Sequence, residues 1–287
     1  MTKIEINDLK FTYPGDNFGL KIKHLTFSEG MIAIIGQNGA GKSTLLRLLS
    51  GLNQPDSGEI TVEGQNLNDY IGDKRLERIG LTFQDPNDQI FNATVKKEVE
   101  WGLRQMDKPE TEVERITEEV LQEVGLADKM DENPYDLSLS ERKLLSIATV
   151  VAVRPKILLF DEPMMSLDWP SRKKITAIFR YLVDRGHVVI TITHDMDWVL
   201  EEYEDVYAMA HGELVYSGKT SEFFESPSLV EEVGVLLPKA TEAGKKHASN
   251  QKARMRSHPG LLCMQGSNCC KISKKSLAIN LTGSLAR

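Results

Sequence analysis

What this chain has least of is cysteine: of 287 residues three are Cys, and all of them, Cys263, Cys269 and Cys270, lie near its end in a spacing that matches no zinc pattern. The residues before them have no disulfide to rely on, which is compatible with a reducing cytosol. No apolar run approaches the ~18 residues of a membrane span. Met1-Thr2-Lys3-Ile4-Glu5 lacks an apolar signal core, so any membrane role is expected to be peripheral. Acid is missing from one region altogether. From Lys245 onward nine Lys or Arg stand with no Asp or Glu, which leaves 26 of the 35 basic residues against all 42 acidic ones in the rest. So acidic a body argues against broad nucleic-acid affinity, and no nucleic-acid partner is expected. The tail, residues 244–287, reads as a basic, disordered end of atypical sequence, with RNA or anionic lipid as the alternative contact. No internal repeat is visible, and the length allows one large or two modest domains.

What is present starts with Gly36-Gln37-Asn38-Gly39-Ala40-Gly41-Lys42-Ser43, a G-x-x-x-x-G-K-S phosphate loop. Met31-Ile32-Ala33-Ile34-Ile35 before it reads as a buried strand, and Ser43 to Leu49 after it as a helix closed by Gly51. Glycines let the backbone curl, so that N–H groups converge on phosphate oxygens at a helix N-terminus, where the dipole favours negative charge. The loop and Thr44 just after it are therefore candidates for holding a nucleotide. Lys42 would reach the β- and γ-phosphates, and the Ser43 hydroxyl would ligate Mg²⁺.

Around this unit the pattern changes along the chain. Ile4 to Phe11 and Leu20 to Phe27 alternate as antiparallel strands do, with a turn at Tyr13-Pro14-Gly15-Asp16 between them, and Gly58 to Gly64 adds a short strand. Val95 to Arg104, Glu110 to Val124 and Ser140 to Ala152 carry apolar residues at helical spacing, a helical insertion over about 95–153 inside an α/β domain. Ile157-Leu158-Leu159-Phe160 and Val188 to Thr193 read as parallel strands covered on both faces. Asp168 caps a helix between them whose first turn holds Pro170. Val206 to Tyr216 is expected to be a hairpin turning at His211-Gly212, followed by a short helical appendage over Leu229 to Leu237 that ends at Pro238.

Asp161 and Glu162 follow the Ile157 strand directly, so both carboxylates emerge at its C-terminal end, where ligands bind in open α/β sheets. Asp161 is placed to hold Mg²⁺ with Ser43, and Glu162 to act as general base on the attacking water. His194 ends the next strand in Ile192-Thr193-His194-Asp195. Together these motifs resemble the ATP-binding cassette (ABC) family over about residues 3–243. Gly36–Ser43 stands as the Walker A loop, Ile157–Glu162 as Walker B, Ser166-Leu167-Asp168 as the D-loop and His194 as the switch histidine. The resemblance implies the fold of a P-loop NTPase cassette, a mixed sheet core with an antiparallel β subdomain and an inserted helical subdomain. It also implies ATP and Mg²⁺ as cofactors, ATP hydrolysis coupled to transport, His194 on the γ-phosphate, Asp168 across a dimer interface, Tyr13 stacked on adenine, and Gln84 as the Q-loop residue that reaches Mg²⁺ and the attacking water.

The stretch from Gln84 to Val95, with Glu98-Val99 and Trp101-Gly102 after it, is similar to the ATPase subunits of energy-coupling-factor (ECF) importers of vitamins and of metals such as cobalt or nickel. Phe223-Phe224-Glu225-Ser226-Pro227 and Leu237-Pro238-Lys239-Ala240-Thr241-Glu242 also look like that family's C-terminal extension, and the two matches together imply a cassette domain over 3–220, a short C-terminal extension over 221–243, and docking of a membrane scaffold subunit near Gln84–Gly102. They further imply a second ABC subunit, a substrate-binding membrane subunit, and a place at the cytoplasmic face of the membrane. One motif departs from the family. The usual Leu-Ser-Gly-Gly-Gln signature reads Leu137-Ser138-Leu139-Ser140-Glu141 here, so Ser138 keeps its hydroxyl for a partner's nucleotide while Leu139 and Ser140 crowd the backbone approach. An asymmetric pair with one impaired site follows as the expectation. A weakly hydrolysing regulatory subunit and a soluble non-transport ABC ATPase stand as alternatives.

Overall fold

Alternating apolar residues build the first two strands, β1 (Ile4–Thr12) and β2 (Gly19–Phe27), which pair antiparallel with Ile6 opposite Leu25. A bulge around Asp8, at φ 49°, shifts the phase of β1. That shift lets Leu9 and Phe11 reach the same core as Ile4 and Ile6. The computed structural model describes residues 2–15, 18–28 and 30–239, which belong to one unit, Met1–Glu242. The expected tail from 244 and the last residues of the expected 221–243 extension lie outside the described residues.

The chain continues through β3 (Gly30–Ile35), α1 (Lys42–Leu49), β4 (Ser57–Val62), β5 (Gln65–Asn66), α2 (Asp73–Leu76) and β6 (Ile79–Thr82). Three helices come next, α3 (Val95–Gln105), α4 (Glu110–Val124) and α5 (Leu139–Val153). Then follow β7 (Ile157–Asp161), α6 (Trp169–Val183), β8 (Val188–Ile192), α7 (Met196–Glu202), β9 (Asp205–Ala210), β10 (Glu213–Lys219), α8 (Thr220–Glu225) and α9 (Pro227–Val233). Among the described residues ten strands form one sheet in the order β5-β4-β1-β2-β10-β9-β3-β8-β7-β6. Its β9-β3-β8-β7-β6 half is parallel, and the β5-β4-β1-β2 half is antiparallel.

Two apolar cores cover the two faces of the parallel half. Ile32, Ile34, Ile157, Leu159, Val188 and Ile190 pack with α1 and the antiparallel strands. Ala33, Ile35, Leu158, Phe160 and Val189 pack with α3 to α9. Strict period-two alternation between two apolar faces is why these strands read as continuous hydrophobic runs. Every C-terminal strand end of this half therefore points to one edge, where β3 feeds the phosphate loop, β6 feeds Gln84, β7 carries Asp161 and β8 precedes His194.

Two details differ from the sequence pattern. The final helix begins at Pro227 and ends at Val233, because Gly234 at φ 68° caps it in the left-handed conformation; residues 235–238 are not helical. The apolar residues Leu236 and Leu237, which continue the helical spacing, instead line the cleft described below. Strand β6 also escapes the pattern: it is four residues long and contains a glycine, too short for alternation to be seen.

Candidate nucleotide site

The phosphate loop leaves β3 through Gly36, at φ 150°, where a Cβ would lie 2.3 Å from the Met209 carbonyl oxygen. No larger residue fits that approach. The loop is closed by its own lysine: the Lys42 ammonium donates to the carbonyls of Gly36 (2.7 Å) and Gln37 (2.9 Å). Burial holds the Lys42 pKa below its usual value, against the pull of the Glu162 and Asp161 carboxylates.

A cleft of about 1140 Å³ opens over the loop. It brings together Tyr13, Asn38, Gly39, Gly41, Lys42, Ser43, Thr44, Gln84, Asp161, Glu162 and His194 from five separate stretches of chain. Gly36 and Ala40 sit buried behind it. The N–H of Gln37 donates to the Val233 carbonyl (3.1 Å), so this residue faces the C-terminal appendage. The Tyr13 ring meets Phe11 edge-on at 4.8 Å, and its hydroxyl accepts from Asn53 (3.3 Å). Phe18 also lines the cleft and carries no motif that singled it out.

At the carboxylate end, burial raises the Asp161 pKa, opposed first by the Ser43 hydroxyl and then by Lys143 and Lys42. Glu162 sits at φ 50°, a left-handed conformation uncommon for a side chain of this size, and its backbone N–H donates to Ile192 O (3.0 Å). Burial pushes its pKa up to about 7, while the backbone N–H of His194 at 3.4 Å pulls the other way. Glu162 Oε1 has no hydrogen-bond partner among the described residues, and His194 Nε2 lies 3.5 Å from it. The imidazole is held below its usual pKa by burial and then by Lys42.

The donor set suits Mg²⁺. Ser43, Asp161 and the Gln84 amide offer hard oxygens, and among the described residues no group of three or more His, Cys, Asp or Glu forms a complete metal cage. Magnesium is commonly bound by one or two protein oxygens, with substrate phosphates and water completing its shell.

Two expected site residues stand apart from this cleft. Asp168 spends a carboxylate oxygen on the Ser171 N–H (3.0 Å), capping α6. Ser138 caps α5 in a closed box: its hydroxyl donates to Glu141 Oε2 (2.8 Å) and accepts from the Glu141 N–H (3.3 Å), and its own N–H donates to the same carboxylate (2.9 Å). Lys129 completes the cluster at 2.7 Å from Glu141. The lysine, then the two Ser138 bonds, hold the Glu141 pKa down at about 2. Leu139 beside it is 47% exposed and, with Gln84, Lys143 and Met165, lines a second cavity of about 380 Å³ next to the first.

The ABC transporter family model matches residues 20–165, a span running from β2 through the phosphate loop and α5 to just beyond Glu162. The chain belongs to the ABC transporter family. This cassette is 36% identical over 236 residues to the energy-coupling factor transporter ATP-binding protein EcfA of Carboxydothermus hydrogenoformans, covering 82% of this chain and 87% of that protein. It is 33% identical over 243 residues to EcfA of Methanothermobacter thermautotrophicus, covering 83% and 78%. Among solved structures it is similar to CbiO1 of Clostridium perfringens, described as part of the ABC transporter complex CbiONQ, with a TM-score of 0.69, 30% identity, and coverage of 84% of this chain and 98% of that one. A cassette solved as a dimer in a post-hydrolysis state with ADP and Pi gives a TM-score of 0.67 at 25% identity, covering 76% and 98%. The mixed sheet described above is thus an ABC ATPase fold, and the cassette hydrolyses ATP in the service of transport.

Proposed function

We propose that this cassette is the ATP-hydrolysing subunit of an ECF-type importer, taking up a vitamin or a transition-metal ion such as cobalt or nickel through a membrane scaffold and a separate substrate-binding subunit. One observation carries the catalytic part: Lys42, Ser43, Asp161, Glu162 and His194 converge on a single cleft from separate strand ends. Relatives named as ECF ATP-binding proteins support the transport part.

In this reading Tyr13 packs on the adenine, the loop from Gly36 to Thr44 cradles the phosphates, and Lys42 neutralises the β- and γ-phosphates. Ser43, Asp161 and Gln84 hold Mg²⁺, which offsets phosphate charge when bound. Glu162 has an oxygen with no hydrogen-bond partner and a pKa near 7, so it takes the proton of the attacking water, and His194 lies beside it to contact the γ-phosphate. The cassette proper spans 3–220, with its helical subdomain at about 95–153, and residues 221–243 form an ECF-like extension; α8 and α9 of that extension bury Phe223, Phe224 and Val233 against the helical core.

The scaffold docks near Gln84–Gly102. There Phe91 (60% exposed) and Trp101 (43% exposed) meet edge-on at 5.3 Å as an exposed apolar platform, and Asp85 and Asp88 in the same stretch of chain are exposed as well. Its backbone is held from below by Glu98, whose carboxylate accepts from the N–H groups of Phe91 (3.1 Å) and Asn92 (2.7 Å). Among the described residues no helix is long and apolar enough to cross a membrane, so attachment at the cytoplasmic face rests on this kind of contact.

The closed cap at Ser138 and Glu141 favours a pair in which a second cassette with an intact signature completes the cleft of this one, while the reciprocal site is impaired. Purified chain is expected to hydrolyse ATP slowly alone and at least about tenfold faster with such a partner. Equal turnover by the chain alone sinks the asymmetric pair, and no turnover in either state sinks the ATPase reading.

A further inference from the structure

A buried cation is expensive unless its charge and its donors are met. Helix α5 carries one that no motif explains. Lys143 is 2% exposed, and its ammonium donates to the backbone carbonyls of Phe83 (3.1 Å), Gln84 (2.9 Å) and Asp161 (3.3 Å). Three N–H donors thereby meet three acceptors, and nothing is left over for solvent or substrate. Burial holds the Lys143 pKa below its usual value, and Asp161, Glu162 and Asp85 offset part of that cost.

The acceptors are not scattered. Strands β6 and β7 lie side by side with Thr82 opposite Phe160, so Phe83, Gln84 and Asp161 follow at the same sheet edge, across which Lys143 reaches from the helical subdomain. A second tie runs parallel to it. Gln89 donates to Ser146 O (2.9 Å) and Thr149 Oγ1 (2.7 Å) on α5, and its own oxygen accepts from the Phe83 N–H (3.3 Å). The loop that carries Gln84 is thus hydrogen-bonded to α5 at both of its ends, and Lys143 also ties α5 to the strand that carries the catalytic carboxylates, which the sheet already pairs with β6. Packing by itself would be served by methionine or leucine at this position; an ammonium is required only if the three carbonyls must be held in fixed relation.

We propose that Lys143 is a positioning residue for ATP hydrolysis, fixing the Gln84 loop and the Asp161–Glu162 strand end to the helix whose N-terminus is the signature. Movement of α5 toward or away from a bound nucleotide then carries the loop glutamine and the carboxylates with it. The inference rests on the roles proposed above for Gln84, Asp161 and Glu162.

The test compares Lys143→Met, which keeps volume and removes the donors, with Lys143→Arg, which keeps a cation. For each, ATP turnover is measured with the partner cassette, binding of trinitrophenyl-ATP without metal, and hydrogen exchange of the segment 80–90. Lys143→Met is expected to lose about 100-fold in kcat, with KM and analogue affinity within about threefold, and to speed amide exchange in 80–90 at least about tenfold. The arginine variant should recover most of both turnover and protection. Unchanged exchange in 80–90, or a loss of affinity matching the loss of turnover, overturns the proposal. If the methionine variant does not fold, Lys143→Gln takes its place, with turnover expected between those of the arginine variant and the methionine prediction; turnover equal to that of the unaltered protein overturns it. Absence of ATPase activity in the unaltered protein counts against the functional reading instead, and the exchange measurement still decides the role of Lys143.

Discussion

At the phosphate-loop end of this cassette polar groups face an open cleft, whereas at the signature end they face one another. Asp161 and Glu162 are raised in pKa and Lys42 is lowered, each mainly by burial, and one oxygen of Glu162 has no hydrogen-bond partner among the described residues. Glu141 shows the opposite state, its pKa held at about 2 by Lys129 and Ser138. Groups that bear the cost of desolvation are poised for a ligand. Groups that satisfy each other stabilise a helix end and leave little to offer across an interface. In the proposed reading one chain thus presents one half-site suited to phosphate and another that mainly starts a helix.

Substitutions at the two ends should separate these behaviours. The largest effect belongs to the open end: Glu162→Gln is expected to lower kcat about a thousandfold while nucleotide affinity changes little. A binding titration beside a turnover assay checks this, and retained turnover removes Glu162 from the base role. At the closed end, the double change Leu139→Gly with Ser140→Gly should raise turnover of the chain acting alone by about tenfold and lower its stability by about 1 kcal/mol. Unchanged turnover would mean that the signature backbone is not what limits the chain acting alone.

The smallest effect is a pH dependence. Glu141 titrates at about 2 when folded, below its ordinary 4.5, so its contribution is complete above 4.5 and fades as pH falls through that interval. Glu141→Gln keeps a capping acceptor and loses the charge. Its deficit, about 1 kcal/mol at neutral pH, should therefore narrow between pH 4.5 and 2. A denaturation series that shows a constant deficit would break the contrast between the two ends.

Much of this was legible without coordinates, because the signals are local. The phosphate loop lies within eight residues, and α4 runs from Glu110 to Val124 as its apolar spacing indicates. Less visible were features with no period. Strand β6 is too short to alternate, and Gly234 ends α9 before the apolar spacing does. Gln37, a member of the phosphate loop by motif, gives its N–H to Val233, nearly two hundred residues away.

The amino-acid sequence by itself determined the nucleotide loop, the two carboxylates at a strand end, the alternation of the strands and the loss of both signature glycines. Each of these is written in neighbouring residues, where backbone geometry and side-chain period act directly. Only the tertiary structure decided that Ser138, Glu141 and Lys129 close on one another, and that a lysine in the signature helix holds carbonyls 60, 59 and 18 residues away. Hydrogen bonds of that reach depend on which strand ends the sheet sets side by side, and that order follows from packing two apolar faces rather than from any run of letters.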